Sequence, residues 1–292
     1  MNMAIGILES VIRQTTPMLF VALGVLVIQT SGIMGMAAEG KMLLSAFIAA
    51  AVTFYTRSVW LGVVAATLFT GLFGLLYTWI IQEFHVNQII VGLSVNTLCL
   101  GLTTLLNRQL LTMEVHVQSI LPSFETTLFG FSVPVYVGFI MVPLMWLFLK
   151  KTSPGLKIRS AGEYPRAVES VGLDVKRIRY FAGGLGSLLI GFGGAFFSLG
   201  ITNMFIENMV SGRGYIAMTA VTFGKYNPFG VLAAVSIFGA GDALQYRMQV
   251  ATNIPYQFAL MVPYLMTIVA LVLFARNPRQ PTALAHKYFK SR

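Results

Sequence analysis

The chain has 292 residues, 56% of them apolar and only 10% charged, with a formal net charge of +10 and a mean hydropathy of +0.76. Ordinary globular proteins carry roughly 25% charged residues, so a soluble domain is excluded. The positive charge does not argue for nucleic acid, because it gathers in residues 150–179 and 276–292 instead of spreading over one basic face.

A spanning helix needs about 20 mostly apolar residues, so the expected fold is an all-α polytopic membrane protein with eight or nine transmembrane helices. The first cation is Arg13. The basic start of a cleavable signal is therefore missing, and the first hydrophobic segment is expected to be kept. Apolar runs predict spans near Thr16–Ile28, Met42–Tyr55, Val59–Ile81 and Ile89–Leu106, then Val133–Leu149, Phe181–Leu199, Phe229–Leu244 and Tyr256–Phe274. Two of these helices carry small residues at every fourth position. Gly62, Ala66, Thr70 and Gly74 form one line, and Gly183, Ser187, Gly191 and Ala195 form the other. In lipid such stripes let backbones approach closely, so they are read as packing faces.

Gly32–Glu39 and Tyr215–Phe223 are too short to cross. Each is flanked by glycine and followed by a cation, Lys41 or Lys225, and each reads as a half-helix leading into a span. They form a weak internal repeat, one copy per half, and paired broken segments point to a transport site near mid-membrane. Gly-rich helix ends are the competing explanation.

Residues 150–179 are an island of charge, KKTSPGLKIRSAGEYPRAVESVGLDVKRIR, between two apolar runs. Cytoplasmic loops carry the Lys and Arg excess, so this loop and the basic tail 276–292 are placed inside. Residues 1–275 are then one transmembrane domain. With the loop inside, loop 107–132 lies outside, and counting backward puts the N-terminus outside as well. The tail cations also suit anionic lipid. Within the loop, Gly162 and Pro165 read as helix punctuation, and a short helix is expected from about Glu163 to Val171.

No Walker A pattern, H-E-x-x-H or G-x-S-x-G motif occurs. Cys99 is the only cysteine, which excludes internal disulfides and thiolate metal sites, and His85, His116 and His286 lie far apart near segment ends. Glu39 and Asp242 are the only carboxylates expected within the membrane, on different segments. No catalytic and no metal-binding residue is therefore assigned, and the chain is not expected to be an enzyme. Glu39 has Lys41 close by for a local ion pair, and Asp242 has Arg247.

The residues also resemble a known family. AGEYPRAVESVGLDVKRIRY is similar to the cytoplasmic loop A-G-x-N-P-x-A-A-x-x-x-G-I of ABC-importer permeases in the branched-chain amino acid and simple-sugar superfamily. GIMGMAAEGKMLLSAFIAA resembles their G-x-x-N-I-G-x-E-G-x-M-L-x-G-A segment, and NQIIVGLSVNTLCLGLT their E-I-I-x-G-x-x-x-N-x-x-A-x-G-L-T. GRGYIAMTAVTFGKYNPFGVLAA resembles G-R-G-F-I-A-L-A-A-V-I-F-G-x-W-x-P. These matches run in order over most of residues 15–250. The subgroup most alike is the nucleoside-uptake permeases, in particular the shorter of their two permease subunits. Tyr164 departs from the usual Asn before Pro165, and Ala37-Ala38 from the usual Gly-Leu before Glu39.

The resemblance implies a multi-pass permease of the bacterial plasma membrane, paired with a second permease. A cytoplasmic ABC ATPase would use ATP and Mg, and an extracytoplasmic binding protein or lipoprotein would deliver substrate; the chain itself would bind no cofactor. Gly162, Pro165 and Gly172 would shape the coupling loop, and Glu163 and Arg166 would contact the ATPase. For a nucleoside, which is neutral and rich in hydrogen-bonding groups, the path candidates are Glu39, Asn96, Thr97, Thr219 and Thr222. A simple-sugar permease, or a membrane scaffold without a conduit, is the alternative.

Overall fold

The computed structural model describes residues 3–112, 120–125, 130–251 and 280–289, together with isolated pairs between 257 and 269. Ten α-helices occur there: α1 (Met3–Thr30), α2 (Ala38–Thr56), α3 (Val59–Glu83), α4 (Gln88–Thr112), α5 (Val133–Lys151), α6 (Ser153–Glu163), α7 (Pro165–Ser170), α8 (Val175–Phe196), α9 (Arg213–Phe223) and α10 (Pro228–Ala251). A π-helical segment, Phe197–Thr202, extends α8. Seven helices are long and apolar enough to cross a membrane: α1 to α5, α8 with its extension, and α10. The expected span Tyr256–Phe274 lies largely outside the described residues.

α1 is apolar on every side and sits in the middle. Leu19, Val21, Leu23, Val25 and Leu26 are fully buried, as a helix without a polar face must be in a protein core. The helix begins well before the expected Thr16, because Arg13 and Glu9, which interrupt the apolar run, pair with each other at 3.2 Å near its outer end. Packing around α1 is by glycine. The backbones of Gly24 and Gly186 touch, where a Cβ on Gly186 would stand 2.5 Å from the Gly24 carbonyl. The two small-residue lines meet each other as well: Gly183 against Thr78, Ser187 against Gly74, and Gly191 against Thr70 join α8 to α3. Gly62 instead receives Thr53 of α2.

α4 is the least buried of these helices. Its inward face is the single line Gln88, Gly92, Asn96, Cys99, Thr103 and Asn107. Leu93, Leu98, Leu102 and Leu105 are exposed on its other sides.

Contacts sort the chain ends into two faces. Arg13 Nη2 donates to the Gly130 carbonyl at 2.9 Å, and Leu121 N donates to Asn203 O at 2.9 Å. The start of α1, the loop before α5 and the end of α8 therefore share the outer side. At the opposite side, Lys176 pairs with Glu83 at 2.9 Å, and Gly162 lies against the Thr30 carbonyl with no space for a side chain. The basic loop lies on that side, the one expected to face the cytoplasm.

The loop itself differs from the expected single helix. Thr152 caps α6, its side chain accepting from Gly155 N at 3.2 Å. The helix then breaks at Tyr164, and Pro165 opens α7 at the first helical position, where a missing N–H costs nothing. Gly172 ends α7 with φ of 78°, a backbone conformation that glycine adopts without steric penalty. Asp174 then caps α8 by accepting from Lys176 N and Arg177 N.

Candidate functional site

Two chain segments enter the bundle from opposite faces without crossing it. Residues 31–37 leave the cytoplasmic end of α1 and lead into α2. They are irregular, correcting the expected half-helix at Gly32–Glu39. Non-helical backbone at membrane depth survives only where protein satisfies its polar groups, and here other helices do so. Arg179 Nε donates to Ser31 O at 3.1 Å, and Gln88 Oε1 accepts from Met34 N at 2.7 Å. The Tyr77 hydroxyl donates to Met34 O at 3.2 Å, and Asn96 Nδ2 to Met36 O at 2.8 Å. Residues 203–212 enter from the outer face through left-handed positions at Asn203, Asn208, Ser211 and Gly212. They lead into α9, a true half-helix that returns to the cytoplasmic side, where Phe229 at the start of α10 packs on Trp146 near the end of α5.

The two segments meet at Glu39. Its carboxylate oxygens accept one hydrogen bond each from Gly212 N and Gly214 N, both at 2.7 Å, at the amino-terminal end of α9. Unpaired N–H groups and the helix dipole favour an anion there. Asn96 makes the second join. Its Oδ1 accepts from Gly40 N at 2.8 Å, and its Nδ2 also donates to the Tyr215 hydroxyl at 2.7 Å. One amide thus binds α2, α4 and α9 together. Arg213, next along α9, pairs with Asp242 of α10 at 3.1 Å and lies 4.9 Å from the Phe197 ring. Asp242 therefore takes Arg213, not the expected Arg247. Glu39 likewise does not pair with Lys41. That ammonium is buried, donates to Ser187 Oγ at 2.9 Å and stands 4.5 Å from the Tyr77 ring.

Beside this junction is an open cavity of about 480 Å³, lined by Glu39, Gly40, Leu43, Asn96, Thr97, Leu100, Asn208, Ser211, Gly212 and Tyr215. Binding pockets commonly span roughly 300–1,000 Å³, apolar with a few placed polar groups. Three of the five expected path residues line it: Glu39, Asn96 and Thr97. Thr219 and Thr222 do not, and Thr219 Oγ1 donates along α9 to Ile216 O at 2.8 Å. Glu39 and Asn96 spend their hydrogen bonds on the protein. The lining groups that sequence reasoning missed are Tyr215, Asn208 and Ser211. Tyr215 stands inside a motif already quoted, but nothing local marks it among 11 tyrosines.

On the cytoplasmic face, α6 and α7 enclose a largely apolar concavity of about 630 Å³, bordered by Leu156, Ser160, Glu163, Tyr164, Ala167 and Val171. Arg166 is exposed on α7 and does not line it. The Glu163 carboxylate is engaged within the chain, accepting from Thr282 Oγ1 at 2.9 Å and Thr282 N at 3.2 Å.

The family described as branched-chain amino acid transport system, permease component, matches residues 7–271. Among similar proteins, the guanosine ABC transporter permease protein NupQ of Bacillus subtilis is 28% identical, over 98% of this chain and 97% of its own length. The nucleoside ABC transporter permease protein NupC of Lactococcus lactis is 28% identical over the same shares. A putative glucose ABC transporter permease protein of Haloferax volcanii, TsgC13, is 29% identical over 85% of this chain and 79% of its own. No solved structure matches the chain.

Proposed function

The chain belongs to the branched-chain amino acid transport system permease family, and from that premise we propose that it is the permease subunit of an ATP-driven importer of nucleosides. One observation carries the reading: two re-entrant segments of opposite entry close on each other at Glu39 and Asn96, beside a cavity of about 480 Å³. That arrangement gives each half of the path a movable wall. Glu39 and Asn96 hold the walls, while Thr97, Asn208, Ser211 and the Tyr215 hydroxyl offer uncharged hydrogen bonds beside Leu43 and Leu100. A nucleoside, with flat apolar faces and polar edges, suits this mixture. A sugar would use the polar groups and leave the leucines idle. NupQ and NupC also align over more of the chain than the relative named for glucose.

The uncovered faces of α4 would meet a second permease. A chain without a P-loop must receive work through contact, and we assign that contact to the α6–α7 hook. Gly162, Pro165 and Gly172 set its shape, and Glu163 and Arg166 border the surface offered to a cytoplasmic ATPase. A binding protein would load the outer side, and ATP and Mg would stay with the ATPase. Vesicles holding the permease pair and its ATPase should accumulate labelled guanosine or uridine when ATP is supplied. Accumulation of ribose or glucose, with neither nucleoside transported, would overturn the nucleoside assignment.

A further inference from the structure

Residues 280–289 do not hang free beneath the membrane. A tight turn, in which Leu284 N donates to Pro281 O at 3.0 Å and His286 N to Ala283 O at 3.2 Å, presents two amides on one edge. Ala283 N donates to Gly162 O at 2.8 Å, and Ala285 N donates to Gly32 O at 3.1 Å. The first carbonyl closes α6 of the hook. The second begins the re-entrant segment that ends at Glu39. Three residues of the tail therefore bridge the part proposed to receive force and the part proposed to gate the path.

Side chains strengthen the bridge. Tyr288 packs on the small apolar cluster of Ala161, Val168 and Val175 under the hook. Its ring lies 5.7 Å from the Arg179 guanidinium, whose Nε holds Ser31 O at 3.1 Å. A second line of contact thus runs from α7 through Tyr288 and Arg179 to the same re-entrant segment. Phe289 stacks on His85 in the α3–α4 turn, with centroids 4.5 Å apart and planes 3° from parallel. Ala285 keeps a φ of 63°, an uncommon conformation for a residue with a Cβ, which the two flanking hydrogen bonds hold in place.

We propose that residues 281–289 are a transmission strap, whose Ala283, Ala285 and Tyr288 are positioning residues joining the ATPase-facing hook to the re-entrant segment 31–37. This rests on the permease assignment above and adds a part to it. The strap moves with the hook as one body and carries its displacement to Gly32, six residues before the start of α2. Without it, the hook still meets the ATPase but the gate follows poorly.

The test uses the assembled permease pair with its ATPase in vesicles, and reads nucleoside taken up per ATP hydrolysed. A merely misfolded subunit lowers uptake and hydrolysis together and leaves their ratio unchanged. Ending the chain after residue 279 should lower that ratio by about fivefold or more, the smallest coupling usually counted as allosteric, while co-purification with the ATPase persists. Tyr288→Ala should act the same way, Tyr288→Phe should keep most of the ratio, and Ala285→Gly should keep all of it. If the shortened chain fails to reach the membrane, Tyr288→Ala decides alone. A pair of cysteines, His85→Cys with Phe289→Cys, joined by a short bifunctional maleimide, fixes the strap in place. Coupling lost on cross-linking but kept by the unlinked double variant supports a strap that must move with the hook, and coupling retained after cross-linking overturns it. An unchanged ratio in the shortened chain or in Tyr288→Ala removes the strap alone. Absence of ATP-driven uptake by the unaltered assembly removes the permease assignment and the strap with it.

Discussion

Glu39→Gln is the substitution that best separates a fastening carboxylate from a substrate ligand. In the native protein the two oxygens of Glu39 each take one backbone N–H of α9, at 2.7 Å. Glutamine keeps one acceptor and presents an N–H₂ group to the other glycine amide. One charge-assisted hydrogen bond disappears, worth about 1.5–3 kcal/mol, and one buried N–H is left without a partner, costing about 1–3 kcal/mol. The total is about 2.5–6 kcal/mol, and the lost interaction with the helix end adds to it. Glu39→Asp is one methylene shorter and cannot span both amides, so it too leaves one amide unpaired, but its charge keeps the remaining bond charge-assisted and its loss should be smaller than that of Gln. Unfolding of the purified subunit by SDS in mixed micelles should rank the proteins Glu, Asp, Gln in falling stability. Uptake should fall in the same order, mainly through its maximal rate. If the Gln protein is as stable as the native one while the KM for nucleoside rises, Glu39 touches substrate and the fastening argument is refuted.

Five further substitutions probe the packing of the bundle. Arg213→Met or Asp242→Leu alone leaves a charge whose side chain is mostly buried, 6% exposed for Asp242 and 13% for Arg213. Each should destabilise by about 3–5 kcal/mol, and the double variant should cost clearly less than the sum; additive losses would mean the pair is not coupled. Lys41→Met should be neutral or stabilising by about 1 kcal/mol or more, because a buried ammonium is costly unless paired and no carboxylate pairs with Lys41 among the described residues. A clear loss of stability would show that the cation has an anionic partner. Gly186→Val should prevent α1 from seating on α8 and destabilise by about 3 kcal/mol or more, at or beyond the upper end of ordinary overpacking, since its Cβ would meet backbone. Gly101→Ala on α4, where a Cβ meets nothing within 4 Å, should instead stabilise the isolated subunit by about 0.5–1 kcal/mol; equal effects at the two sites would contradict the helix arrangement.

The spans were legible because twenty apolar residues in a row have few other fates, and the small-residue lines were legible because they recur along a single helix. What stayed hidden depended on partners distant in sequence. Residues 31–37 look locally like a helix, with small residues and a following Glu39. They stay unwound because Gln88, Tyr77, Asn96 and Arg179 satisfy their backbone, and those four come from three other helices. Asp242 has Arg247 nearby in sequence, yet its partner is Arg213, brought in by a half-helix whose course depends on Glu39. Thr219 and Thr222 are polar residues in an apolar run. A threonine hydroxyl can always donate to its own helix, so polarity alone does not bring it to a cavity. Pro165 is legible as helix punctuation, but the break at Tyr164 that starts α7 there and ends α6 before it depends on the turn of the whole hook.

α4 has a roll angle that its leucines could never have chosen. Oil-like residues cover nearly every side, so greasiness points in all directions equally. The narrow seam of two asparagines, a glutamine and a threonine, alternating with one glycine and the cysteine, acts as a key cut along one edge. Turn the rod by a single residue, about 100°, and those amides would face hydrocarbon chains. The orientation of this wall is therefore dictated by its least hydrophobic atoms, and a neighbouring subunit would inherit a surface aimed by them.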